Sequence, residues 1–128
     1  MDEPAVRVRG LAHLALKVRD VGAARAFYAG NFGMRVVWEP DPQNVYLSSG
    51  TDNLALHEAA EVGRDGALDH LGFLVDSPEA VFAAAATLRA RGVPILHEAR
   101  RHRDGTVSCY CQDPDGNVVQ VLWIPEPA

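Results

Sequence analysis

The sequence has no excess of positive charge, no long apolar run and few cysteines. Its 17 acidic and 12 basic residues give a formal net charge of -5 at pH 7. Nucleic acid is therefore not an expected partner, because binding to phosphates needs a basic surface. No apolar run approaches the roughly 20 residues that span a bilayer, and residues 1–4 lack the apolar core of a signal peptide. We expect a cytoplasmic protein that does not bind a membrane.

The two cysteines, Cys109 and Cys111, are separated by one residue. On a strand they would point to the same face, and the short backbone between them is too constrained for an ordinary disulfide. A metal-binding Cys-x-Cys pair is one interpretation. We favour the other, in which two buried thiols lie in a reducing compartment.

Two similar stretches divide the 128-residue chain into halves. Leu, His, Leu and Val occupy the same four positions in residues 11–18 and 68–75. Each stretch has the alternating pattern of a strand, and each precedes a helix start, at Asp20 and at Ser77. The length predicts a single domain, 1–128, built from two modules at about 11–58 and 68–124.

The order of predicted elements is βαβββ in each module, which is an α+β fold. Strands are predicted at 11–18, 34–39, 45–49, 54–58, 69–75, 95–100, 106–112 and 118–124, with helices at 21–30 and 79–90. One module cannot cover both faces of its small sheet. We therefore expect the helices on the convex face and an open cup between the concave faces of paired modules.

The more apolar residues of each strand are predicted to face the helices. These are Leu14, Leu16, Val18, Leu54, Leu56, Leu71, Phe73, Val75, Val119, Val121 and Trp123. The opposite set faces the cup: His13, Ala15, His57, His70, Gly72, Ser108, Tyr110, Gln112, Gln120 and Leu122. Three imidazoles with little competing acid suit a borderline divalent metal, namely Zn, Ni, Co, Mn or Fe(II).

Three motifs together carry a family resemblance. They are L-x-H-L-x-x-x-V at 11–18, D-V-x-x-A-x-x-F-Y-x-x-x-F-G-M at 20–34 and D-P-D-G-N at 113–117. The chain resembles, over about 11–124, the vicinal oxygen chelate superfamily. That superfamily includes glyoxalase I, type I extradiol dioxygenases, methylmalonyl-CoA epimerase and the fosfomycin and bleomycin resistance proteins. The resemblance implies a glyoxalase-like cup of mixed β-sheet.

The resemblance also implies a set of site residues. Carried across by motif, the metal ligands are His13, His70, Gln120 and His57, and Tyr110 matches an active-site tyrosine of ring-cleaving relatives. The family normally has Glu where this chain has Gln120, and a neutral amide cannot act as a carboxylate base. His57 is then a candidate fourth ligand or base. Strand alternation places His57 in the cup, strict repeat symmetry places Leu56 there, and a one-residue bulge would reconcile the two.

Three functional hypotheses follow. The first is a metal-dependent enzyme, a lyase, isomerase or dioxygenase, that acts on a small molecule with two adjacent oxygens. The alternative is a metal-free binding protein that sequesters a small molecule, as bleomycin-resistance proteins do. The third is an accessory subunit without its own chemistry.

Two further features concern partners. The basic run at 100–103 could hold a substrate anion, although such a run is more often a solvated hairpin edge. The resemblance also implies a homodimer, in which modules of different chains can form the cup.

Overall fold

The computed structural model describes residues 4–5, 7, 10–62, 66 and 68–125. The chain divides into two compact units, Met1–Ala59 and Ala60–Ala128, here called the N-terminal and C-terminal units. Each contains a four-stranded sheet and one helix. Across the described ranges, neither helix has the length and hydropathy of a bilayer-spanning segment.

The N-terminal unit has the order βαβββ. Its elements are β1 (His13–Val18), α1 (Val21–Phe32), β2 (Arg35–Asp41), β3 (Asn44–Ser48) and β4 (Asn53–Glu58). The sheet order is β1-β4-β3-β2, in which β1 and β4 are parallel and the other pairs are antiparallel. The sheet is therefore mixed, as predicted.

Local signals in the sequence define both ends of α1. The Asp20 carboxylate accepts a hydrogen bond from the Ala23 amide at 3.0 Å, which satisfies one of the unpaired donors at the helix start. Gly33 ends the helix in the left-handed region, with φ at 67°, where a residue without a Cβ is unstrained. The buried side of α1 packs on β3 and β4.

The C-terminal unit repeats this arrangement. Its elements are β5 (Leu71–Leu74), α2 (Pro78–Ala90), β6 (Ile95–Arg101), β7 (Val107–Gln112) and β8 (Val118–Trp123). The sheet order is β5-β8-β7-β6, again with one parallel pair, and α2 packs on β6, β7 and β8. Ser77 caps α2 by accepting a hydrogen bond from the Ala80 amide at 3.1 Å. The α+β class and the repeated βαβββ order are confirmed.

The core is smaller than the apolar pattern predicted. Six of the eleven expected core residues are buried: Leu16, Val18, Leu54, Leu56, Val119 and Val121. The other five, Leu14, Leu71, Phe73, Val75 and Trp123, are only half-buried. Four of these lie on or beside β1 and β5, which are edge strands with a neighbour on one side only.

Both cysteines are buried and free. On β7, Cys109 pairs with Val121 and Cys111 with Val119, both of which are core residues. Burial raises the pKa of both thiols, that of Cys111 to about 12. A raised pKa keeps a thiol protonated and unreactive near neutral pH, so the prediction of buried free thiols is confirmed.

Candidate functional site

The sheet face opposite α1 carries His13 and His57, but at different positions along the strands. In the parallel pair of β1 and β4, His13 is level with Asn53, and His57 is level with Lys17. The two histidines are therefore four residues apart along the strands, about 13 Å at about 3.3 Å per residue. This separation counts against His57 as a ligand of an ion that His13 holds.

His13 is oriented by its neighbour on β4. Its Nδ1 lies 2.8 Å from the side-chain oxygen of Asn53. Because an amide oxygen only accepts, Nδ1 carries the proton and the neutral ring has its lone pair on Nε2. Metal-binding histidines are commonly fixed in this way through the second ring nitrogen.

A chain of three side chains orients His57. The Asp41 carboxylate accepts from the Asn44 amide nitrogen at 2.9 and 3.2 Å. The Asn44 oxygen therefore faces His57 and lies 2.6 Å from its Nδ1. The His57 ring also stands edge-on to Tyr46, with ring centres 5.8 Å apart. These contacts place the proton on Nδ1 and leave Nε2 as the acceptor.

In the C-terminal unit, Gly72, Gln120 and Tyr110 lie side by side on β5, β8 and β7. The Gln120 amide nitrogen donates to the Tyr110 hydroxyl at 2.9 Å. A Cβ added to Gly72 would lie 3.1 Å from the Gln120 side-chain oxygen. Because Gly72 has no side chain, the side-chain oxygen of Gln120 lies close against β5, while its amide nitrogen is hydrogen-bonded to Tyr110.

His70 lies just before β5 and contacts the same tyrosine. Its ring stands edge-on to Tyr110 with ring centres 5.5 Å apart. Its Nδ1 lies 2.6 Å from the Asp69 carboxylate, an exposed pair. His70 thus shares with His13 and His57 an oxygen partner on Nδ1 and an Nε2 available to a ligand.

His97 lies at this site but is not among the site residues predicted from the sequence. On β6, Ile95 pairs with Cys111, yet His97 pairs with Tyr110, so a bulge inserts one residue between them. By simple alternation His97 would share the helix-facing side of Ile95, and the bulge moves it to the other face. Its ring centre lies 5.2 Å from that of Tyr110. No local signal in the sequence marks this bulge.

The two sheets identify the N-terminal counterpart of Gln120. Tyr46, Ala55 and Ala15 pair as Tyr110, Gln120 and Gly72 do. The counterpart is therefore Ala55, neither His57 nor Leu56, and β4 pairs with both neighbours without a bulge. No bulge is needed to reconcile the two modules, because Asn53 is the first residue of β4, whereas Asn117 precedes β8 by one residue.

Each candidate metal ligand has its own hydrogen bond to a neighbouring side chain. In the part of the chain that the structure describes, no three His, Cys, Asp or Glu side chains form a group that could hold an ion. Within the C-terminal unit, the candidate donors are His70 and the neutral oxygen of Gln120. Within the N-terminal unit, His13 lies at one end of the sheet. Imidazole nitrogens and amide oxygens are donor types that suit a borderline divalent metal.

Two clefts that share residues run along the C-terminal unit. The smaller, of about 330 Å³, is lined in part by His70, His97 and Tyr110. The larger, of about 660 Å³, is lined by Tyr110, Gln120 and the basic run of the β6–β7 hairpin. Tyr110, Arg100 and His102 line both. A small molecule in these clefts would contact imidazole, phenol, amide and guanidinium groups.

Comparison with known proteins identifies the family. Residues 10–121 match the family model of the Glyoxalase/Bleomycin resistance protein/Dioxygenase superfamily. The chain belongs to this superfamily. The resemblance expected from the three sequence motifs is thereby confirmed.

Several solved structures are similar to this superfamily member. Lactoylglutathione lyase from Agrobacterium tumefaciens is 27% identical, with a TM-score of 0.77, over 91% of this chain and 94% of that one. A possible glyoxalase from Bacillus cereus is also 27% identical, with a TM-score of 0.76, over 90% and 99%. An integron cassette protein of V. cholerae is 25% identical, with a TM-score of 0.71, over 94% and 98%. These matches support the glyoxalase-like fold.

Proposed function

We propose that this superfamily member is a metal-dependent enzyme that acts on a small molecule with two adjacent oxygens. One observation carries the proposal. His13 and His70 occupy corresponding places, each two residues before the residue that pairs with Ala55 or Gln120, and each has an oxygen acceptor on Nδ1. Two imidazoles fixed in this way present Nε2 as metal ligands do.

The proposed ligands are His13, His70 and Gln120. A bound Zn, Ni, Co, Mn or Fe(II) ion would polarise a substrate carbonyl. Gln120 would present its side-chain oxygen, because its nitrogen is engaged by Tyr110. Tyr110 touches both Gln120 and His70, so it positions the two together.

Proton transfer needs a group other than residue 120, because an amide is not a base at neutral pH. His57 is our candidate proton acceptor. Its Nδ1 proton is held by Asn44, so its Nε2 is the atom that would receive a proton. Its distance of about 13 Å along the strands from His13 leaves it outside the proposed ligand set.

Metal content tests the proposal. Protein purified without chelator should contain about one transition-metal ion per chain, measured by elemental mass spectrometry, and the His70→Ala variant should lose it. His102→Ala is the matched control, because His102 lies on the same unit but bonds Ser108. An absence of bound metal in the parent protein, with no uptake on addition of the five metals, would remove this function.

The second candidate is a metal-free protein that sequesters a small molecule. The observation in its favour is Gln120, a neutral residue already hydrogen-bonded to Tyr110. A pocket that binds a ligand without metal needs only such hydrogen-bonding groups and aromatic faces. Saturable ligand binding that survives chelator treatment would support this candidate, and binding that requires the metal would exclude it.

We also propose that the chain forms a homodimer. The edge strand β2 exposes three consecutive apolar residues, Val36, Val37 and Trp38. An exposed apolar edge is a common site of association between chains. Light scattering should give twice the chain mass of 13.8 kDa. A monomer at micromolar concentration would refute the dimer and leave the fold unaffected.

A further inference from the structure

The β6–β7 hairpin carries two arginines with no acidic partner in the described ranges. Arg100 pairs with Ser108 across the ladder, and Arg103 lies in the turn that follows β6. Both line the cleft of about 660 Å³ that also contains Tyr110 and Gln120. The chain has a net charge of -5, so two uncompensated cations beside a cleft are a local reversal of its overall charge.

The nearby carboxylates are engaged elsewhere. Asp104 accepts from both the amide and the hydroxyl of Thr106, at 3.0 and 2.7 Å. Glu98 forms an ion pair with Arg89 of α2. Neither acid is bonded to Arg100 or Arg103, although Asp104 lines the same cleft. The positive charge and the planar set of guanidinium N–H donors of both arginines are therefore available to a ligand.

The other two residues of the basic run, Arg101 and His102, make contacts that stabilise the hairpin. Arg101 donates to the Gly105 carbonyl at 3.1 Å and lies over the Trp123 ring, 5.9 Å from its centre. His102 is bonded through Nε2 to the Ser108 hydroxyl at 2.7 Å, and its amide donates to Thr106. Arg100, on β6, and Arg103, in the turn, thus belong to an ordered hairpin, which lowers the entropic cost of binding a ligand.

We propose that Arg100 and Arg103 bind an anionic group of the substrate, a phosphate or a carboxylate. Arginine forms two parallel hydrogen bonds to either group. This inference rests on the proposed function, because it gives the substrate a second attachment beside Tyr110 and Gln120. The substrate would then carry its anion at the hairpin end of the cleft and its adjacent oxygens towards His70, which lines the adjoining cleft.

The test uses two probes, inorganic phosphate and malonate, titrated into the full-length protein at low ionic strength. Backbone amide NMR shifts of residues 100–106 report on the hairpin. We expect saturable shifts with at least one probe, and the stronger of the two identifies the anion. The double variant R100Q/R103Q should bind at least about tenfold more weakly, which corresponds to about 1.4 kcal/mol.

Two further double variants serve as controls. R25Q/R35Q removes the same charge from the N-terminal unit and should leave binding unchanged, because Arg25 pairs with Glu39 and Arg35 lies on β2. R100K/R103K keeps the charge but loses the fork, and should recover only part of the affinity. Equal binding by R100Q/R103Q and the parent, or no saturable shift with either probe, would overturn the inference.

The metal measurement separates this inference from the proposed function. Phosphate or malonate binding that depends on both arginines in a protein that takes up no metal would uphold the anion site and refute the metal enzyme. Metal uptake that depends on His70, without probe binding at the hairpin, would uphold the enzyme and refute the anion site.

Discussion

Replacing Tyr110 separates the contribution of its hydroxyl from that of its ring. Tyr110→Phe removes only the acceptor of the Gln120 hydrogen bond at 2.9 Å. The half-buried Gln120 amide then loses its partner, at a cost of about 1 kcal/mol. The ring remains, so its edge contacts with His70 and His97, at 5.5 and 5.2 Å, are retained.

Tyr110→Leu removes the ring as well. Each aromatic pair is worth about 0.5–1.5 kcal/mol beyond buried area. Two pairs together with the hydrogen bond give an expected loss of about 2–4 kcal/mol. For 128 residues, an unfolding entropy of about 2.1 cal/mol/K per residue converts 1 kcal/mol into a Tm decrease of about 4 °C. We therefore expect decreases of about 4 °C for Phe and two to four times as much for Leu.

Thermal and urea unfolding, followed by circular dichroism, measure both losses. Tyr46→Phe is the matched control, because Tyr46 pairs with Ala55 as Tyr110 pairs with Gln120, and the described contacts include no hydrogen bond to its hydroxyl. It should change stability by less than about 0.5 kcal/mol. Equal losses for Phe and Leu at 110 would refute the ring contacts, and a Phe variant as stable as the parent would refute the hydrogen bond.

Three more predictions follow from the structure. Gln120→Glu should raise the affinity for a transition metal at least about tenfold, measured by calorimetry, because a carboxylate is a charged ligand and the Tyr110 hydroxyl can donate to it. Gln120→Met should lower this affinity. Equal affinities for the parent and both variants would exclude residue 120 as a ligand. Cys111, with a pKa of about 12, should resist alkylation at pH 8 in the folded protein and react in urea. The pKa of the Cys111 thiol in the folded protein is raised above its unfolded value of about 9. Its contribution to the free energy of unfolding is therefore complete below about pH 9 and should fall as pH rises from 9 towards 12. A free energy of unfolding that stays constant over that range would contradict this prediction. Ser77→Ala should lower the free energy of unfolding by about 1 kcal/mol, because it removes the cap of α2. Ser77→Asp should retain most of the stability. An unchanged Tm for the alanine variant would show that the cap contributes little.

Local signals predicted the elements well, because they act over a few residues. Asp20, Ser77 and Pro78 begin the two helices, and Gly33 ends the first one. Where the ends of an element differ from the prediction, they differ by one or two residues, mainly at strands. One such difference is in β2, which continues through Pro40 to Asp41, whereas the predicted strand ends at residue 39. An edge strand tolerates proline, because one row of its backbone groups has no partner strand.

The candidate site was predicted less completely, because side-chain position on a sheet depends on register. Strict repeat symmetry placed Leu56 in the cup, whereas the strand pairing makes Ala55 the counterpart of Gln120. His97 reaches Tyr110 only through a bulge in β6. A shift of one residue moves a side chain to the other face, and such shifts leave no trace in residue types alone.

The sequence by itself determined the repeat, the helix ends, the family and the histidines worth considering, because periodicity, capping residues and motifs are local properties of the chain. Tertiary structure decided which of these side chains meet. It separated His57 from His13 along one sheet and brought Gln120, His70 and His97 to a single tyrosine. Hydrogen bonds between residues distant in the sequence make these choices: strand pairing sets the register, and the register sets the neighbours of each side chain.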